Sequence, residues 1–198
     1  MLLNLPAKFN FVHMSSKYKV YDNQMPQFIT CTVVGWVDAL SRESYKQIVC
    51  DSLLYCQKEK GLVLHAWVIM SNHIHLIVSA AEGHKVSDLA RDFKKFTAKE
   101  IISAIENNVQ ESRRGWMLNI FRFAGENNNS NKENQFWQQD YHPVSLDTRE
   151  KMQQRLNYLH ENPVSAGLVW RAQDYKYSSA IDYYEDKAGL LPVISLHI

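Results

Sequence analysis

Two apolar runs held apart by a pair of turn-forming residues constrain this chain more than any other feature. The first is Leu64-His65-Ala66-Trp67-Val68-Ile69-Met70; Ser71-Asn72 follows, and then His73-Ile74-His75-Leu76-Ile77-Val78. Short apolar stretches rich in β-branched and aromatic residues, bounded by turn chemistry, read as buried strands, so residues 62–80 are expected to form a β-hairpin. Side chains alternate between the faces of a strand, which puts His73 and His75 on one face and Ile74 and Leu76 on the other. Neutral imidazole is a common metal ligand, and two of them offset by two residues can share one ion. With eight histidines in the chain, such a pair alone is a weak signal and can equally be packing. A second element has to support it, and the segment from Tyr158 to Pro163 is the candidate.

The rest of the chain sets the frame. At 198 residues, 45% hydrophobic and 22% charged, it has an ordinary globular composition. A net charge of +1 excludes a globally basic nucleic-acid binder and leaves room for a local basic groove. Cys31, Cys50 and Cys56 are odd in number and lack a CxxC spacing, which favours reduced thiols over a disulfide framework. No apolar run has the length of a membrane helix and residues 1–13 lack a signal-peptide design, so no membrane partner and a cytoplasmic location are expected. No Gly-rich phosphate loop is present, so no nucleotide cofactor is expected. Residues 1–20 read as an extension, with Met14 an alternative start, and residues 21–198 as one domain with a flexible loop at 124–134.

In chain order, Gln27 to Val37 reads as the first strand, with Gly35 as a bulge. Ser41 to Lys60 follows as a helix, with Tyr45, Ile48, Val49, Leu53 and Cys56 inward, Ser41 as cap and Gly61 as terminator. After the hairpin, Val86 to about Glu106 is a second amphipathic helix with Leu89, Phe93, Phe96, Ile101 and Ile105 inward. Its other side carries Arg91, Lys94, Lys95 and Lys99, which is either a solvated face or a row for neutralising phosphates. A short helical piece near 113–123 precedes an asparagine-rich loop, and Phe136 to Pro143 reads as an extended segment or strand. Thr148 or Asp147 then caps a helix that Pro163 is expected to end, with Met152, Leu156 and Leu159 inward. Tyr158 and Asn162 lie one turn apart on a shared flank of it. A loop and a short final helix close the chain.

The text AWVIMSNHIHLIVS, the segment FWQQDYHP, the helix end NYLHENPVSAGLV and the following DYKYSS together resemble the single-tyrosine HUH transposases, and among them the REP-associated tyrosine transposases. The resemblance runs from about Tyr21 to Tyr183. It implies an α+β fold, a ferredoxin-like sandwich with a central antiparallel sheet and helices mainly on one face. It further implies that His73 and His75 bind a divalent metal, Mg²⁺ or Mn²⁺, that Asn162 is a third ligand, and that Tyr158 is the nucleophile. His160 and Glu161 rank behind Asn162 as ligands. The implied partner is single-stranded or hairpin DNA, bound by Arg91, Lys94, Lys95 and Lys99, with Trp137, Tyr141 and Trp170 as candidates for base stacking. Ser71 departs from the family's turn proline, and the long loop after Asn107 carries no transferable DNA contact. A monomer and a homodimer both remain open.

The chemistry explains why such residues belong together. Attack by a phenol on an anionic phosphodiester requires charge neutralisation, which a divalent cation supplies while orienting the phosphate. Two imidazoles and an amide oxygen leave coordination positions for phosphate and water. A covalent phosphotyrosine keeps the bond energy for rejoining, so no ATP is needed. Among rivals, the histidine-triad hydrolases need a third histidine where Ile77 stands. A replication initiator or relaxase shares the chemistry, and a domesticated DNA- or RNA-binding protein could retain the fold without it.

Overall fold

The computed structural model describes residues 23–128, 133–139, 141–185 and 187–196. Residues 1–20, with the alternative start at Met14, and the tip of the asparagine-rich loop lie outside the described residues.

Four strands form one antiparallel sheet: β1 (Gln27–Thr32), β2 (Leu62–Ile69), β3 (His73–Ala80) and β4 (Val144–Ser145), in the order β2-β3-β1-β4. α1 (Glu43–Glu59) connects β1 to β2, the hairpin leads into β3, and α2 (Val86–Asn107) with α3 (Arg114–Glu126) leads to β4. This is a split βαβ arrangement used twice, the ferredoxin-like α+β topology. α4 (Arg149–Ser165) and the short α5 (Ala180–Tyr184) follow.

Side-chain alternation divides the interior into two layers. Ile29, Cys31, Leu64, Trp67, Ile69, Ile74, Leu76 and Val78 share the larger core with the apolar stripes of α1 and α2. Phe28, Ala66, Val68, Met70 and Ile77 pack on the other face with Leu156 and Leu159 of α4. In β2 the phase is set by a bulge: Leu64 pairs with Val78 and Ala66 with Ile77, leaving His65 as the extra residue. Without it Ala66 and Val68 would follow Leu64 into the larger core.

Several local expectations change. The first strand ends at Thr32, and Gly35 (φ 63°) and Trp36 (φ 56°) form a left-handed turn instead of a bulge. Ser41 does not cap α1; its hydroxyl accepts from Arg113 instead. Gly61 (φ 73°) does follow the C-cap of α1, as expected. Phe96 is exposed, because the inward stripe of α2 runs through positions 93, 97 and 101, and Thr97 fills the place it was given. Gly125 and Glu126 belong to α3 instead of the loop. Among the described residues of 136–143 only Trp137 makes a β-bridge, to Val33 just past β1, and the fourth strand comes after Pro143. Pro163 lies inside α4, where it is buried, and the helix runs on to Ser165. Thr148 caps α4, accepting from the Lys151 N–H at 3.3 Å.

Beyond α4 the chain returns along the outer edge of β2. The Ile69 N–H donates to the Tyr177 carbonyl and the Ser179 N–H to the Trp67 carbonyl, each at 2.9 Å, and the Ile194 N–H reaches the Leu64 carbonyl. These bonds cover the outer edge of the hairpin.

Candidate active site

β3 and α4 build the site from opposite sides of a shallow surface. His75 is held between Thr30 on β1 and Val68 on β2, and the pairing directs all three to the α4 face. His73 and His75 have ring centroids 4.7 Å apart, and the Tyr158 ring of α4 lies 5.3 Å from His75 and 6.0 Å from Phe28. Tyr158 is 49% exposed, so the phenol sits at the rim where a large substrate can reach it. One turn further along α4, the Asn162 side-chain oxygen lies 3.5 Å from His73 Nε2. The structure therefore brings Tyr158, His73, His75 and Asn162 together.

The hydrogen bonds fix which atoms face inward. Asn162 Nδ2 donates to the Tyr158 carbonyl at 2.7 Å, which leaves Oδ1 toward His73. Asn72 Nδ2 donates to the Trp36 carbonyl at 3.4 Å, so its own Oδ1 is the acceptor 2.7 Å from His73 Nδ1. An amide oxygen cannot donate, so the proton of neutral His73 resides on Nδ1 and Nε2 presents a lone pair to the Asn162 oxygen. Two acceptors thus face one another. In His75, Nδ1 lies 2.8 Å from the Thr30 hydroxyl, while Nε2 is buried without a hydrogen-bond partner. Burial pushes the His75 pKa from the usual 6.5 down to about 3, with His73 and Arg155 adding to the effect. Burial also lowers His73, opposed by its contact with Asn162. Both rings are neutral at physiological pH and have electron pairs to give.

This donor set fits a divalent cation. An orphaned imidazole nitrogen, a second imidazole lone pair and an amide oxygen, each with its outer atom anchored by a protein group, match the support that ligating histidines require. Among the described residues there is no group of three or more His, Cys, Asp or Glu suited to a metal.

Four contributors were missed from sequence. Asn72 was read only as a turn residue, although it orients His73. Thr30 becomes visible only through the β1–β3 register. Arg155 lies 5.1 Å over the Phe28 ring and lowers the His75 pKa; its place one turn before Tyr158 was the available signal. Trp36 packs edge-on to His73 at 6.1 Å and carried no signal of its own.

The second-rank ligands lie elsewhere. His160 is fully buried on the other flank of α4, with Nε2 2.9 Å from the Ser179 hydroxyl and Nδ1 3.3 Å from the Tyr184 hydroxyl. Glu161 is exposed and acts electrostatically on Tyr184. His160 serves to tie α4 to the segment covering β2, since Ser179 Oγ also accepts from the Trp67 N–H.

The basic row lies on the other side of the sheet from the histidines. Arg91, Lys94, Lys95 and Lys99 line a groove of about 1290 Å³ between α2 and residues 133–139 and 141. Lys94 donates to the Gln138 carbonyl at 2.6 Å, Arg91 is paired with Asp88 and Asp92, and Lys95 and Lys99 are exposed. Trp137 is no stacking platform: it is buried, and its indole N–H donates to Thr97. Tyr141 is half-buried, and Trp170 is 97% exposed.

A ferredoxin-like sheet that carries two strand histidines to a helix-borne tyrosine gives the α+β class of fold that the sequence resemblance implied. Residues 37–120 match the family model described as Transposase IS200 like. His73 and His75 fall inside the match and Tyr158 falls beyond it. Among solved structures, a REP-associated tyrosine transposase bound to a REP hairpin superposes with a TM-score of 0.62 at 16% identity, over 93% of this chain and 94% of that one. A protein assigned as a transposase from Deinococcus radiodurans R1 aligns at 21% identity over 73% of this chain and 97% of its own, with a TM-score of 0.40. No curated protein matches the chain in sequence. Among the described residues no helix is long and apolar enough to cross a membrane, and Cys31, Cys50 and Cys56 are buried free thiols.

Proposed function

We propose that this chain is a DNA transposase that cuts and rejoins single-stranded DNA through a 5′-phosphotyrosine on Tyr158. The observation that carries the reading is the convergence of Tyr158 with two neutral histidines and an amide oxygen, His73 Nε2 facing the Asn162 oxygen and His75 Nε2 buried without a partner. His73 Nε2, His75 Nε2 and Asn162 Oδ1 would hold Mg²⁺ or Mn²⁺. When bound, the cation supplies charge neutralisation and orientation of the scissile phosphate.

The protein's own groups do the rest. The Tyr158 oxygen attacks phosphorus in line, the bond from phosphorus to the 3′ oxygen breaks, and the 3′-OH leaves with a proton as the phenol gives up its own. Phenolate is a far better nucleophile than phenol, so a cation beside the attacking oxygen matters. Arg155, one turn earlier on α4, is suited to receive a phosphate oxygen. Rejoining is the same displacement run backwards by a 3′-OH. The groove on α2 would hold a further part of the DNA, a hairpin stem or repeat, through Arg91, Lys95 and Lys99. The similarity to a hairpin-bound transposase supports a structured DNA partner.

The test is a denaturing gel of the protein with labelled single-stranded hairpin DNAs and Mg²⁺, Mn²⁺ or chelator. A metal-dependent shift that survives denaturant is expected, absent in Tyr158→Phe and in His75→Ala. Covalent adduct formed by Tyr158→Phe would remove the assignment.

A further inference from the structure

The turn between β1 and α1 contains a costly feature whose exposed ring the proposed chemistry leaves unused. Trp36 lies in the left-handed region at φ 56°, directly after Gly35 at φ 63°, and is the only non-glycine residue with positive φ among the described residues. A β-carbon makes that conformation unfavourable, and a large aromatic gains nothing locally from it. The surroundings hold it there: the Trp36 N–H donates to the Val33 carbonyl at 3.1 Å, the Trp36 carbonyl accepts from Asn72, and the Val33 N–H donates to the Asn72 carbonyl. The turn does not bury the ring in return, since Trp36 stays 61% exposed.

Its position shows what the exposure can serve. Trp36, His73, His75 and Tyr158 form a row of rings, with successive centroids 6.1, 4.7 and 5.3 Å apart. The candidate nucleophile ends the row on one side and the open indole ends it on the other, with the paired imidazoles between them. A strand whose phosphate lies over those imidazoles carries a base within reach of the indole. Unpaired bases stack on exposed aromatic faces irrespective of their identity, and tryptophan offers the largest face.

We propose that Trp36 is a stacking platform for an unpaired nucleobase next to the reacting phosphate, and that the strained turn serves to present it. This rests on the reading of the Tyr158 site as a DNA-cleaving centre. Thymine binding and strand cleavage can nevertheless be measured apart.

The experiment compares the affinity of the full chain, with Mg²⁺, for dT20 and for a 20-mer of abasic spacers carrying the same phosphates. Trp36→Gly is the informative variant, because glycine prefers the left-handed conformation and leaves the turn intact. Wild type is expected to prefer dT20. Trp36→Gly should bind dT20 about 5- to 150-fold more weakly and the abasic strand equally well, while Trp36→Phe recovers most of the loss. Unchanged dT20 affinity in Trp36→Gly, equal losses on both strands, or a wild type indifferent to the bases would each overturn the proposal. Failure of the cleavage reading looks different: wild type forms no covalent adduct, yet the Trp36-dependent preference for dT20 persists, leaving the stacking surface without its chemistry.

Discussion

At the scale of single residues, the site depends on amides whose NH₂ groups are tied to backbone carbonyls so that their oxygens face His73. Asn162 gives its NH₂ to the Tyr158 carbonyl and thereby keeps its oxygen toward His73. Asn72 does the same from the opposite side, donating to the Trp36 carbonyl while its oxygen holds the His73 proton on Nδ1. Removing such an outer partner commonly weakens metal binding by about 10- to 100-fold. Asn72→Ala is therefore expected to lower Mn²⁺ affinity by that amount, read by titration followed with electron paramagnetic resonance, while Asn72→Asp retains the acceptor and most of the affinity. Equal Mn²⁺ affinity in Asn72→Ala and wild type would mean that His73 needs no such anchor.

At the scale of elements, the hairpin and the amphipathic stripes of α1, α2 and α4 were legible because apolar periodicity and turn chemistry agree over many residues. The pairing of His73 with His75 was legible for the same reason, since alternation along one strand needs no tertiary information. What escaped depended on contacts far apart in sequence. Pro163 stays helical as a buried residue of α4's last turns, where tertiary burial overrides the local preference to stop. Phe96 and Thr97 exchanged places because Thr97 satisfies both the Phe93 carbonyl and the Trp137 indole, a pairing that periodicity does not reveal. The α2 row was legible as a run of charges, but not its place in the fold: the sheet separates it from the histidines. For the row itself, replacing Arg91, Lys95 and Lys99 by glutamine should flatten the slope of log affinity for hairpin DNA against log salt by about 2 to 3. Lys94 is left in place because it holds the Gln138 carbonyl. An unaltered slope would assign the groove to something other than DNA.

At the scale of the whole molecule, buried histidines couple stability to acid. Burial lowers His75 to about 3 and His160 to about 4 from the usual 6.5. Below 6.5 the unfolded chain takes up these protons and the folded chain does not, so the stability is full above 6.5 and declines as the pH falls toward 4. Each such group contributes a slope of at most about 1.4 kcal/mol per pH unit within that window. Urea unfolding in chelator from pH 7.5 to 4.5 should show the decline, and His160→Gln should remove about one proton's worth of it. A stability independent of pH over this range would contradict the buried, neutral state of both rings.

His73 and Asn162 stand 89 positions apart, and the helix carrying Tyr158 is tied through His160 and Ser179 to a segment that leaves the chain later still. Loop closure over such a span comes only with global order, so no local fragment can bring these side chains together. During synthesis the strand histidines emerge well before the tyrosine that would work beside them. With the DNA cleavage proposed here, such a chain is harmless while nascent, and its competence is a report that folding has finished.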